Sequence, residues 1–228
     1  MSFFASSART SRLFYLAYGL FLQYIVITFT LMYFYQGGYY FDHEATSFII
    51  NRNYLSDLGR TISFNGQTNP AYLFYTLTLS LAGLGVSLFF LLISSTLSSR
   101  WKYLLLFFAL ISSVGYIGIA FNPVDSSLQA HLIFGKLSFF AFFFASVLAH
   151  ILLDRTQYRR ASQIFYLLNF LLFLYLLLMF FGPRSSSGLW ALALKTLAQK
   201  FIVYTMMISA LFILGDLRKQ KKPPKATF

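Results

Sequence analysis

A chain of 228 residues that is 58% hydrophobic and only 11% charged has too little polar material to cover a soluble globule, in which about a quarter of residues carry charge. Its lack of cysteine excludes disulfides, thiolate metal sites and thiol nucleophiles. The net charge of +12 is not a nucleic-acid signal: Arg218, Lys219, Lys221, Lys222 and Lys225 cluster directly after the last apolar run, where a basic tail meets anionic headgroups and resists translocation.

The first apolar segment covers residues 13–35, behind Arg9 and Arg12. It is too long for a cleaved signal core and no small-x-small site follows, so a retained helix is expected. Residues 36–70 form a connection far longer than the usual 2–8 residues between packed helices, with a partly ordered centre. The second span, 71–93, opens behind Asn69 and Pro70, proline being suited to an early helical position. Arg100 and Lys102 precede span three at 103–121, which ends at Asn122-Pro123. Span four covers 129–152, span five 162–181 and span six 189–214, with Asp154, Arg155, Arg159 and Arg160 between four and five.

The expected fold is therefore all-α: a single polytopic membrane domain over 1–228, a bundle of six transmembrane helices with an outer loop at 36–70 and a basic tail at 216–228. The basic flanks assign both termini, the 94–102 turn and the 153–161 turn to the cytoplasmic side of a plasma or bacterial inner membrane. Four of the six acidic residues, Asp42, Glu44, Asp57 and Asp125, then lie on the outer side. Tyrosine, with 16 copies, is expected at headgroup level, where its hydroxyl stays wet.

Polar residues gather at the outer end. Asp125 is placed to cap span four, and His131 to form an acid–base pair with it or bind a metal. Lys136 lies deeper, five residues or about 7.5 Å further along a helix. Lys136 and Lys195 can snorkel to the interface. Lys200 is too deep for that and must face the interior, paired with Asp57 or Asp125 or holding an anion; Gln199 and Tyr204 flank it. In the loop, Ser56 and Asp57 are suited to satisfying turn amides and Gly59 to an unusual backbone conformation. Gly83, Gly85, Gly115 and Gly118 permit close helix approach. Asp42-His43-Glu44 is a compact but poorly disposed ligand set, and His150 stands about 28 Å from His131 along an ideal helix. The zinc helix His-Glu-x-x-His and the Gly-rich phosphate loop are absent.

Asn53-Tyr54-Leu55-Ser56-Asp57-Leu58-Gly59-Arg60, Asn69, Asn122-Pro123-Val124-Asp125 and His131 resemble the family of small multi-spanning proteins termed domain of unknown function 998. Gln199-Lys200 resembles the Gln/Glu-Arg pair of that family, with the planar guanidinium replaced by a point charge. The resemblance covers residues 14–215 and implies the six-span fold without an activity. A looser likeness, a Ser-Asp-x-Gly turn after the first span, extends to eukaryotic families of glycolipid remodelling and autophagy modulation.

The expected function is to bind or move an anionic lipid or small solute, with Arg60, Asn69, Lys136, Gln199, Lys200 and Tyr204 as ligand contacts. The alternatives are a lipid-modifying hydrolase or transferase using His131, Asp125 and Asp57, and a noncatalytic membrane scaffold. Membrane lipids are the expected partners and nucleic acid is not; the sequence leaves cofactor, metal and oligomeric state open.

Overall fold

The computed structural model describes residues 7–220. Each expected span is a helix: α1 (Ser7–Phe34), α2 (Tyr72–Ser94), α3 (Lys102–Phe121), α4 (Leu128–Asp154), α5 (Arg159–Phe181) and α6 (Leu189–Gln220). All six are long and apolar enough to cross a membrane, and no strand occurs among the described residues. The last helix runs past the expected end at 214. No glycine or proline after Gly215 interrupts it before Pro223, and Arg218 and Lys219 complement the negative end of its dipole. Asp216 to Gln220 thus continue α6, while Lys221, Lys222 and Lys225 lie outside the described residues.

Short connections make successive helices antiparallel neighbours. Each helix packs on the next in sequence, and α6 closes onto α1, giving a ring. Small residues set its tightest seams. A Cβ on Gly115 would lie 2.7 Å from that of Ser138, one on Gly118 would enter the Phe134 ring, and one on Gly83 would come within 3.1 Å of the Ser113 carbonyl. Across the same seams the Ser113 hydroxyl donates to the Gly83 carbonyl at 2.7 Å and Ser112 to the Ser138 carbonyl at 3.0 Å. Buried hydroxyls bonded this way avoid the cost of an unpaired polar group in an apolar interior.

The 36–70 loop folds back into one end of the ring, called here the capped end. Its 3₁₀ turn Leu55–Gly59 is wholly buried and packs on α1, α2 and α6. Gly59 does not take a positive φ. Its requirement is proximity, since a Cβ there would lie 2.6 Å from the Tyr75 ring. Gly37 does use positive φ, at 109°, and a Cβ on it would strike the Ala45 carbonyl.

Candidate functional site

Asn53, fully buried, organises the loop plug. Its Oδ1 accepts the Ile49 N–H at 2.9 Å, and its Nδ2 donates to the Gly38 carbonyl at 2.8 Å and toward Asp57 Oδ2 at 3.4 Å. Asp57 Oδ2 also accepts the Tyr54 N–H at 2.7 Å, closing the 3₁₀ turn. Lys200 reaches the plug from α6. It is 7% exposed, and Nζ donates to the Asn53 carbonyl and, at 3.2 Å, to the Thr196 carbonyl, with the Phe48 ring 5.3 Å away.

The expected direct pairing of Lys200 with Asp57 or Asp125 is therefore corrected. The lysine holds main-chain carbonyls, and Asn53 stands between it and Asp57, because a compact ammonium satisfies its protons best on clustered carbonyls. Burial pushes the Asp57 carboxyl up to about 6, against the Tyr54 N–H, the Arg60 charge, the Asn53 amide and the Lys200 charge, which lower it.

Asp125 does not cap α4; Ser127 occupies that place. Its carboxylate instead straps the far part of the loop, accepting from the Thr61 hydroxyl at 2.6 Å and from the Thr61 and Ile62 N–H groups at 3.0 Å each. Burial raises its proton affinity, but these donors outweigh burial and hold the carboxyl below its ordinary value. His131 bonds elsewhere: Nδ1 lies 2.8 Å from the Asn122 carbonyl. A carbonyl only accepts, so Nδ1 carries the proton and the neutral ring keeps its lone pair on Nε2.

Beneath the plug lies a cavity of about 340 Å³ to which all six helices and all three capped-end connections contribute. Tyr24, Tyr75, Tyr116, Tyr175 and Tyr54 line it with Leu79, Phe139 and Val203, and its ionisable lining besides tyrosine consists of His131, Lys136 and Lys195. No Asp or Glu lines it. Lys136 faces the Phe180 ring at 5.6 Å. Gln199 accepts the Leu55 N–H on Oε1 at 2.8 Å, which leaves its NH₂ group as a donor for a ligand. Tyr54 and Ser185 close the roof by a 2.6 Å hydroxyl bond between the two loops, and Arg52 clamps the Leu189 carbonyl at 2.9 Å.

Of the residues singled out in the sequence, His131, Lys136 and Gln199 meet in this cavity. Asp57, Asp125, Arg60, Asn69, Lys200 and Tyr204 are not among its lining residues. Asn69 spends its amide on the Leu58 and Arg60 carbonyls and the Ala71 N–H. Arg60 covers the Phe64 ring at 3.9 Å and bonds the Ile62 carbonyl, and Tyr204 bonds Thr28 at 3.0 Å. Lys195 and the tyrosines were missed. The lysine follows Lys136 as a second cation on the capped side, and tyrosines recurring within spans rather than at their ends are a polar signal that a headgroup-level rule hides.

A second polar set sits at the opposite end, between α4 and α5. The Ser162 hydroxyl lies 2.9 Å from His150 Nδ1 and 3.2 Å from Asp154 Oδ1, and the Ser162 carbonyl also meets Nδ1 at 3.0 Å. Ser162 is fully buried, so these three are a helix clasp. The Asp42-His43-Glu44 stretch forms a tight turn in which Asp42 Oδ1 accepts the Glu44 N–H. No group of three or more His, Asp or Glu among the described residues could hold a metal ion. Comparison with family models, curated proteins and solved structures gives no match.

Proposed function

We propose that this chain is a multi-pass membrane protein, with both termini cytoplasmic, that binds or moves an anionic lipid or small anionic solute in its capped-end cavity. The observation carrying this reading is the charge of the lining: Lys136 and Lys195 stand in the wall of an apolar, tyrosine-rich space that has no carboxylate on it. Two cations beside an apolar space with no carboxylate on its wall favour an anion. The volume falls in the ~300–1,000 Å³ range of small-molecule sites, and His131, Gln199 and the tyrosine hydroxyls supply orienting groups. Binding is preferred to lipid hydrolysis because Asp125, needed to orient His131, bonds Thr61 and Ile62 instead. Membership of the domain of unknown function 998 family is part of the same proposal, with Asn53, Asp57 and Asn69 building the plug.

Native mass spectrometry of the protein released from bilayer discs of mixed phosphatidylglycerol and phosphatidylcholine tests the reading. The expected result is retention of an anionic lipid or added anion that is lost in the Lys136→Met/Lys195→Met variant. Equal retention of the zwitterionic lipid, unaffected by the double substitution, would sink it.

A further inference from the structure

Building on the anionic-ligand reading above, we propose that the occupant is a single-chain anionic amphiphile that enters sideways from the membrane along α4. The wall of the cavity is open on that side. Leu128, Leu132 and Lys136, spaced four apart on one stripe of α4, line the cavity and are also exposed on the outer surface of the bundle. Residues that belong to both surfaces mark the rim of an opening, and this rim runs down the flank of α4 from its capped-end start.

The axial route is obstructed. Leu55, Asp57 and Leu58 are buried in the plug, the Tyr54–Ser185 bond joins the two loops above it, and Arg52 holds the start of α6. Just inside the rim, Gly135 lines the cavity between His131 and Phe139, its neighbours at four residues on either side. A Cβ built there meets nothing within 4 Å. Unlike the glycines of the α3–α4 seam, this one permits no close helix contact. It leaves empty space.

The occupant's size and charge follow from the same wall. A cavity of about 340 Å³ stands at the small end of the ~300–1,000 Å³ range of small-molecule sites. One apolar chain fits inside, and the second chain of a two-chain phospholipid would remain outside the wall, in the membrane. Lys136 at the rim and Lys195 on α6, both in the cavity wall, then receive the anionic head. The apolar chain lies among Leu79, Phe139 and Val203.

The test uses full-length protein in phosphatidylcholine discs with dodecyl phosphate as probe. One equivalent is expected to bind. Lys195→Met should weaken it about tenfold to a hundredfold, as loss of a charged hydrogen-bond partner does. Gly135→Leu should weaken it at least as much while the unfolding temperature holds or rises, since leucine is the better helix former. The cysteine-free chain also allows Arg52→Cys/Leu189→Cys, two positions in contact at the capped end and outside the cavity lining, to be bridged by a thiol crosslinker, and binding should be the same before and after bridging. Abolition of binding by the bridge would overturn lateral entry. Inorganic phosphate or dioleoyl phosphatidate binding as tightly as dodecyl phosphate, dependent on Lys195 but indifferent to Gly135→Leu, would overturn the single-chain occupant and leave the anionic reading standing. Dodecanol and dodecyl phosphate binding alike, in the parent and in Lys195→Met, would overturn both.

Discussion

The two ends of this bundle carry similar side chains and do different things with them. At the capped end His131 lines a cavity while Asn53, Asp57, Lys200 and Asp125 bind the loop beside it; at the other end Ser162, His150 and Asp154 bond one another between α4 and α5. The second set contains the residue types of a nucleophilic triad, but its serine is sealed between helices. Even at the capped end most of the charges face away from the cavity and stitch the loop to the ring. Polar residues in an apolar bundle are consumed first by each other and by main-chain groups, because an unpaired one is costly there. A site arises only where cations remain beside open space.

The largest expected effect is in the plug. Lys200→Met should lower stability by about 3–4 kcal/mol, the loss of the charged donor to the Asn53 and Thr196 carbonyls, as read by thermal unfolding in a detergent micelle. It should leave dodecyl phosphate bound, because Lys200 is not among the cavity-lining residues. A stable variant that loses the ligand would break the distinction between plug and cavity.

The next effect is a pH slope. With the folded Asp57 carboxyl raised to about 6 from 3.8, its contribution is fully present below about pH 4. It is lost as pH rises through 6, by about 3 kcal/mol. Asp125 has the opposite sign: its lowered value adds stability above the ordinary carboxylate range that disappears as pH falls through the folded value. Unfolding temperatures between pH 4 and 7 should therefore decline in the parent and flatten in Asp57→Asn. An unchanged slope in that variant would remove Asp57 as its source.

Asp125→Asn should cost about 2 kcal/mol at neutral pH through weaker bonds to Thr61 and Ile62. The loss should shrink on acidification, which calorimetry at two pH values would detect. Smallest is the opposite end: Ser162→Ala should cost about 1 kcal/mol with ligand binding untouched. Loss of binding in Ser162→Ala would sharpen the comparison into a coupling between the two ends.

The six spans were legible because each is a long apolar run punctuated by Asn-Pro, basic turns or glycine. Their bounds moved by only a few residues, apart from the start of α1 and the end of α6. Close packing at Gly115 and Gly118 was legible too, since small residues in apolar helices have few other uses. The site was legible only in part. His131, Lys136 and Gln199 stand out as polar groups on the capped side, yet their neighbours Lys200, Asp125 and Arg60 look the same in a linear chain and serve the loop. Lys195 looked like an interfacial cation, and Gly135 had no distinguishing neighbour at all.

By itself, then, the sequence determined an all-helical chain with six segments suited to a bilayer and its polar residues crowded toward one end, because segment length and hydropathy are local properties. Only the tertiary structure decided which of those polar groups are spent on Asn53, Thr61 and Asn122 and which face open space. That choice depends on the ring closing α6 onto α1 and on the loop entering its end. Both are consequences of packing between residues more than a hundred positions apart, as in the contact of Lys200 with Asn53.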